Sequence, residues 1–268
     1  MNIVVCVKYV PDATGDRRFE ADGTVDREGV DGLLSELDEY AVEQSLQLKE
    51  KLGGDGVDTE VTVLTIGPAG AVDAIRKALQ MGADKGVHVS DEAIAGSDAF
   101  ATSLVLAEAV KKIDAAGGWD LVVCGMASTD GGMGVVPAML SERLGVPGAT
   151  LGSSIELDGQ TLRIRRDGDT ATVAVEATLP AVLSVTDQSG EARYPSFKGI
   201  MAAKKKPVET WSLADLGVDA GLVGLEASYT AVEATEARPP RTAGEIVTDE
   251  DGAGAKALVD FLSSKKFI

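Results

Sequence analysis

Histidine and cysteine are scarce in this chain of 268 residues, which contains one His and two Cys. Cys6 and Cys124 both lie in apolar runs, and neither has a Cys or His neighbour at the spacing of metal ligands. A disulfide framework and a metal site built on Cys and His are therefore not expected. Two free thiols in apolar segments predict reduced cysteines and a cytoplasmic protein.

Basic residues are also in short supply. Lys and Arg number 25 against 43 Asp and Glu, which leaves a formal charge of −18. Such a charge repels nucleic acid and free nucleotides at long range. The composition therefore predicts no nucleic-acid partner. It also predicts that any bound nucleotide is held tightly by local donors and exchanges slowly.

Long apolar segments are missing as well. No apolar run approaches the ~20 residues of a membrane-spanning helix. The start of the chain, Met1 to Val5, lacks the basic segment, apolar stretch and cleavage site of a signal peptide. We expect a soluble chain with no direct insertion into a membrane.

The residues of a nucleotide-processing enzyme are missing too. The segment Lys8 to Asp12 is not the Ser-Gly-Gly-x-Asp-Ser loop of ATP pyrophosphatases, and no Gly-x-x-x-x-Gly-Lys-Ser/Thr motif occurs. His88 lies inside an apolar run, where packing is favoured over catalysis. With no nucleophile and base in view, the sequence predicts a protein that carries a ligand and is not itself an enzyme.

The first half of the chain alternates short apolar runs with segments of helical spacing. This alternation is typical of an α/β fold with a twisted parallel sheet and helices on both faces. The predicted strands are Ile3–Val7, Glu60–Ile66, Lys85–Val89 and Leu121–Cys124, and the predicted helices cover residues 33–51, 67–81, 98–117 and 135–144.

The pattern changes after Gly148. Three alternating segments joined by turn sequences predict an antiparallel hairpin element at about 153–177, and Pro180–Val185 predicts a further buried strand. We therefore predict one nucleotide-binding domain over residues 1–231. Residues 232–268 are predicted to form a C-terminal arm that packs on a partner subunit, because the segment is too proline-rich at Arg238–Arg241 to build its own core. Gly254–Lys266 predicts a terminal amphipathic helix.

A glycine-rich loop, Gly125 to Gly134, follows the fourth predicted strand and opens a helix. Ligands of open parallel sheets lie beyond the carboxyl ends of the strands, glycines permit close backbone approach, and amides at a helix start attract phosphate. Ser128 and Thr129 add hydroxyl groups, and Asp130 is a candidate acceptor for a ribose hydroxyl. The loop therefore predicts an adenine-nucleotide site, with a mobile surface loop as the alternative.

The segment from Gln188 to Lys206, whose first part at about 188–201 is a candidate partner-recognition loop, carries the one local concentration of basic residues. Phe197 stands among Arg193, Lys198 and Lys204–Lys206. An apolar side chain ringed by polar groups is typical of a protein–protein hot spot. The alternative is that Phe197 folds back into the core.

Together these residues resemble the β subunit of electron transfer flavoproteins over essentially the whole chain. The run from Arg166 to Val185 is similar to the signature region of that family. The other matching segments are Val5–Lys8 with Val10–Asp12, Glu39–Glu43, Thr65–Pro68, Ile75–Lys85, Glu176–Val182, Glu191–Pro195, Ile200–Lys206 and Arg241–Gly244.

The resemblance implies an adenine-nucleotide-binding fold of the HUP type and a heterodimer with an α subunit that holds most of the FAD. That flavin would pass electrons from acyl-CoA and related dehydrogenases, as in fatty acid oxidation, to a membrane quinone oxidoreductase. The β subunit would bury a structural AMP. Its implied contacts are Cys6, Ser35, Glu36, Leu37, Asp38, Ile66, Gly125, Met126, Ala127, Ser128, Thr129, Asp130, Gly131, Gly132, Met133, Gly134, Val135 and Val136. The implied recognition loop for dehydrogenases contains Arg193, Tyr194, Pro195, Ser196, Phe197 and Lys198, with Phe197 as its anchor.

One branch of the family differs from this sequence. Bifurcating members bind a second FAD in the β subunit and carry an Asp-Gly-Asp-Thr-Ala-Gln type of stretch where this chain has Asp130 to Val135. The difference favours AMP over a second flavin. Ile66 replaces a cysteine found in some members, so a backbone contact is expected there. Two alternatives stay open, a second FAD and a stand-alone nucleotide-binding stress or signalling protein; a nucleotide-activating enzyme is disfavoured.

Overall fold

A sheet of seven parallel strands forms the centre of the fold. The computed structural model describes residues 1–15, 17–27, 29–236, 239, 244, 246–249 and 252–268. Its strands are β1 (Asn2–Cys6), β2 (Tyr9–Pro11), β3 (Gly32–Leu34), β4 (Glu60–Ile66), β5 (Lys85–Val89), β6 (Leu121–Gly125), β7 (Gly148–Gly152), β8 (Ser154–Asp158), β9 (Thr161–Asp167), β10 (Thr172–Thr178), β11 (Ala181–Val185) and β12 (Val208–Trp211). Its α-helices are α1 (Glu36–Gly54), α2 (Val72–Met81), α3 (Ala99–Gly117), α4 (Val136–Leu144), α5 (Phe197–Ala203), α6 (Leu213–Leu216) and α7 (Gly254–Ser264).

The strand order places a switch point next to β1. The sheet runs β12-β5-β4-β1-β6-β11-β7, so the chain builds outward from β1 on one side and then returns to build outward on the other. Val4 pairs with Val122 and Val5 with Val123, which sets Cys6 beside Cys124 at the carboxyl ends of β1 and β6. Crevices at such switch points are the usual ligand sites of open α/β sheets. The predicted α/β class is confirmed.

Apolar residues of β1 alternate between two cores. Ile3 and Val5 pack in the core that includes Leu79 of α2, whereas Val4 packs in the core that includes Val105 of α3. Because helices cover both faces, the central strands are apolar on both sides and read as continuous hydrophobic runs. This is why β1, β4, β5 and β6 are visible in the sequence.

The first predicted helix begins too early. Residues 32–34 form β3, which pairs antiparallel with β2 through Tyr9 and Leu34, and α1 starts only at Glu36. Leu33 and Leu34 fit a helical repeat by spacing. Their backbone groups instead pair with β2, and the connection between β2 and β3 is an excursion of about twenty residues. Three of the implied nucleotide contacts, Glu36 to Asp38, therefore lie in the first turn of α1 and not before it.

The second half contains the predicted antiparallel element. β8, β9 and β10 form a separate three-stranded antiparallel sheet. Two strands of the main sheet, β7 and β12, were not predicted. Both lie at sheet edges, and β12 is largely exposed, so neither carries the apolar signature of a buried strand.

Contacts divide the chain into units 1–233 and 234–268. The second unit contains α7, which confirms the predicted terminal helix, and α7 exposes Leu258, Val259 and Phe261. Arg238, Pro240 and the Arg241–Ala243 part of the family segment lie outside the described residues. Among the described residues, no helix is both long and apolar enough to cross a membrane.

Candidate functional site

Three sequence-predicted segments meet at the switch point of the sheet. They are the exit of β1, the first turn of α1 and the glycine loop after β6. The loop after β4 lies beside them, because Thr65 Oγ1 donates to the carbonyl of Val7 at 2.8 Å. Ile66 is half-buried and packs against the core that contains Cys6 and Cys124. The structure thus brings the implied nucleotide contacts to one edge of the sheet.

Asp38 joins α1 to the ends of both central strands. The backbone N–H of Lys8 donates to Asp38 Oδ2 at 2.8 Å. On the other side, a Cβ at position 125 would collide with Asp38 Oδ1 and would lie 2.7 Å from the carbonyl oxygen of Leu37. Only glycine permits this approach of β6 to the helix. Gly125 is therefore needed for packing and not only for a turn.

The carboxyl group of Asp38 is a weak acid in this position. Burial raises its pKa to about 7, against the opposing effects of the Lys8 backbone N–H, the Lys8 charge and the Gly125 backbone. A carboxyl group removed from water favours its neutral form. Near neutral pH this buried carboxyl group is therefore partly protonated, at the edge of the sheet where β1 and β6 end.

Asp130 is held by two cations. Its Oδ1 accepts from Lys8 Nζ at 2.9 Å and its Oδ2 accepts from Arg27 at 2.6 Å, while its side chain is only 2% exposed. Burial by itself raises the pKa of Asp130, but the Lys8 charge and hydrogen bonds from Ser128, Lys8 and Arg27 outweigh it and hold that pKa well below its usual range. Asp130 is therefore an anion.

Arg27 is the residue that sequence reasoning missed. It lies in the excursion between β2 and β3, and it also donates to the carbonyl of Tyr9 at 3.1 Å. No sequence motif marks Arg27. Only a prediction that β2 and β3 pair would have indicated that the connection between them, which contains Arg27, returns over the glycine loop. Asp130, predicted as an acceptor for a ribose hydroxyl, has a cationic partner on each of its carboxylate oxygens.

Several polar groups at this edge have no hydrogen-bond partner among the residues that the structure describes. Ser35 is fully buried at the N-cap of α1, and its Oγ has no hydrogen bond to any described residue. The backbone N–H groups of residues 126–130 likewise donate to no acceptor in the described part of the chain. Buried polar groups are nearly always paired, so the buried Ser35 hydroxyl suits contact with a bound group, and the amides of the partly buried residues 126–130 are available to the same group. Loop amides next to two cations, with a hydroxyl at the same edge of the sheet, fit the phosphate and ribose of an adenine nucleotide.

The thiols and the imidazole of the central strands are packing groups. Cys6 and Cys124 are free and buried. Hydrogen bonding to Cys6, together with burial, raises the pKa of the Cys124 thiol well above its ordinary value, which keeps that thiol neutral. His88 is buried, and its Nε2 lies 3.0 Å from the carbonyl oxygen of Gly67, where it supports the loop after β4. The predicted packing role of these side chains matches their burial.

The segment around Phe197 is fastened to the body of the protein at its base. Arg193 pairs with Glu43 through Nε at 2.7 Å and with Glu50 through a terminal nitrogen at 2.5 Å. The side-chain amide of Gln44 donates to the carbonyl of Ser189 at 2.8 Å. Arg193 was predicted to flank the anchor as part of a basic patch. Its charge is instead used in holding the segment on α1.

The tip of that segment is apolar and exposed. Ser196 caps α5 by accepting from the Gly199 backbone at 3.1 Å, and the packing of Gly199 against the Gln80 carbonyl leaves no room for a Cβ. Tyr194 is 93% exposed and Phe197 is 81% exposed. Phe197 does not fold back into the core. The structure thus presents two aromatic side chains to solvent on a fixed base, next to exposed Lys198.

Comparison with known proteins identifies the fold. Residues 22–216 match the model of the electron transfer flavoprotein domain. A protein of Mycobacterium tuberculosis named electron transfer flavoprotein subunit beta is 47% identical over 268 residues, which cover 100% of this chain and 99% of the relative. The chain belongs to the family of electron transfer flavoprotein β subunits.

Other relatives of this family match over the same length. The β subunit of Thermoanaerobacterium thermosaccharolyticum is 35% identical over 269 residues, which cover all of both chains. A protein of Acetobacterium woodii named caffeyl-CoA reductase-Etf complex subunit CarD is 34% identical, again with full coverage of both chains. The resemblance that the sequence motifs indicated is confirmed.

Proposed function

We propose that this chain is the β subunit of an electron-transferring heterodimer and that it binds one structural AMP at the switch point of its sheet. The observation that carries the proposal is the set of unpaired donors around the glycine loop, the buried Ser35 hydroxyl and the amides of residues 126–130. No pair of nucleophile and base accompanies them in the described part of the chain. In a β subunit of this family, such a cleft holds a ligand and does not transform it.

The residues proposed to hold AMP are those already drawn together. The backbone of Gly125 to Val136 surrounds the nucleotide, and Cys6, Ile66 and Ser35 to Asp38 complete the cleft. Bound there, AMP would supply no redox chemistry; it would pair with the buried Ser35 hydroxyl and the loop amides and join α1 to the ends of β1 and β6. Its role is structural.

The electron-carrying group is proposed to be FAD, held mainly by an α subunit and partly sheltered by this chain. Bound FAD supplies reversible uptake and release of electrons. The donors are proposed to be acyl-CoA and related dehydrogenases, as in fatty acid oxidation in the cytoplasm, and the acceptor a membrane quinone oxidoreductase. The recognition surface is the exposed pair Tyr194 and Phe197 with Lys198 beside it, because aromatic side chains on a rigid base are favourable binding anchors.

Co-expression with an α-type partner tests the assembly. The purified complex is denatured, and released flavin and nucleotide are counted by absorbance and chromatography. One FAD and one AMP per heterodimer support the proposal. Two flavins and no AMP would assign the chain to the bifurcating branch. A colourless homodimer that turns over ATP would refute the proposal, although family membership already weighs against that stand-alone reading.

Phe197→Ala tests the recognition surface. Because the side chain is exposed, the free energy of unfolding should change by less than ~0.5 kcal/mol, while reduction of the complex by its dehydrogenase should become at least tenfold slower at limiting concentration. Leu222→Ala, which removes an apolar side chain that is 55% exposed at another place, is the matched control and should leave the rate unchanged. Equal rates for wild type and Phe197→Ala would contradict the proposed docking surface.

A further inference from the structure

Two cations from separate segments meet at the glycine loop. Lys8 follows β1, and its Nζ lies 2.9 Å from Asp130 Oδ1 and 3.5 Å from Ser128 Oγ. Arg27 comes from the excursion between β2 and β3 and reaches Asp130 Oδ2 at 2.6 Å. The excursion is closed at its base by the β2–β3 pairing, which holds Arg27 over the loop.

The three side chains are not electrically balanced. Two positive charges share the Asp130 carboxylate, which leaves these three side chains with an excess of one positive charge. Asp38 also faces Lys8, but burial raises its pKa to about 7, so it offsets only part of that excess near neutral pH. Lys8 and Arg27 also retain donors. An ammonium group has three N–H bonds and a guanidinium group has five, of which Lys8 uses two at most and Arg27 uses two within the described structure.

A phosphate monoester fits what this cluster lacks. It carries a charge of about −1.5 to −2 near neutral pH and three acceptor oxygens. The unpaired amides of residues 126–130 lie in the same loop as Asp130. We propose that Lys8 and Arg27 bind the phosphate group of the nucleotide and make the site selective for a nucleotide over its nucleoside, with Asp130 holding both cations in place. This inference rests on the nucleotide site of the proposed function.

A competition experiment on the complete heterodimer tests it. The complex is stripped of nucleotide by unfolding and is refolded with an equimolar mixture of AMP and adenosine, and both compounds are measured in the product. Each lost charge-assisted contact should lower the AMP-to-adenosine ratio by ~10- to 100-fold. We therefore expect Lys8→Gln and Arg27→Gln to lower the ratio by at least tenfold while adenosine is still bound.

Arg18→Gln is the matched control, because it removes one positive charge from an exposed position of the same excursion. Its ratio should stay within twofold of wild type. An unchanged ratio in both Lys8→Gln and Arg27→Gln would overturn the inference while leaving the nucleotide site intact. Wild-type protein that takes up neither AMP nor adenosine would instead refute the proposed function.

A second measurement needs no variant. The Lys8 side chain is 42% exposed, so an acylating reagent can reach its amine in the nucleotide-free complex. Peptide mass spectrometry should find Lys8 acylated at least fivefold less in the presence of saturating AMP than in the presence of saturating adenosine. Equal acylation under both conditions would overturn the inference, even if the variants fail to fold.

Discussion

Gly125→Ala is the substitution that tests the geometry of the site most directly. An added Cβ would collide with the Asp38 carboxylate and would stand 2.7 Å from the carbonyl oxygen of Leu37. Both neighbours belong to the first turn of α1, and Leu37 presents backbone that cannot rotate away. The strand end or the helix must therefore move.

Two contributions set the expected magnitude. Forcing a methyl group into a packed region costs about 1–3 kcal/mol. Displacing Asp38 from the Lys8 backbone N–H leaves buried polar groups without partners, which costs about 1–3 kcal/mol more. We expect a loss of about 3 kcal/mol in the free energy of unfolding, together with a lower AMP content, because the loop amides follow directly after residue 125.

Urea denaturation of the full chain measures the first effect, and chromatography of released nucleotide measures the second. Gly53→Ala is the matched control. Gly53 lies in α1, the helix that Gly125 contacts, and its added Cβ would meet nothing within 4 Å. An alanine there should stabilise the helix by ~0.5–1 kcal/mol. A Gly125→Ala protein with wild-type stability and wild-type AMP content would refute the close contact between β6 and α1.

The remaining predictions concern charge. Arg193→Gln leaves the Glu43 carboxylate, whose side chain is 6% exposed, without its cation; we expect a loss of about 2 kcal/mol at pH 7, kept modest because Arg193 is itself 31% exposed. Despite burial, which raises it, the pKa of Glu43 is lowered by the Arg193 contacts, so this stabilisation is present above ~4.3, the unfolded pKa, and is lost as the pH falls through the lower folded pKa. The difference in urea midpoint between wild type and variant should therefore be smaller at pH 3 than at pH 7. An equal difference at both pH values would argue against the ion pair. Asp38→Asn should behave in the opposite sense. Burial raises the pKa of Asp38 to about 7, so its favourable contribution is complete below ~4 and is lost as the pH rises through about 7. Between pH 5 and pH 8 wild-type stability should fall relative to Asp38→Asn, and parallel pH profiles would contradict a raised pKa.

Much of the scaffold is readable from the chain because local rules produce it. β1, β4, β5 and β6 are short apolar runs that helices cover on both faces, and helix and strand repeats differ enough to separate them. The position of the glycine loop follows as well, since parallel strands place their carboxyl ends at one edge. The edge strands β7 and β12 and the short β3 escaped prediction because backbone pairing with distant segments, and not an apolar pattern, makes them strands.

The sequence by itself thus determined the class of fold, the family and the segments that meet at the switch point. The tertiary structure decided which side chains act together there. It brought Arg27 onto Asp130 across 103 positions of the chain and Arg193 onto Glu43 across 150. It also placed Gly125 against Asp38 so closely that a methyl group would not fit. Such contacts join groups that are far apart in the chain, and the order of strands in the sheet brings them together. A local pattern of residues does not encode which distant groups meet.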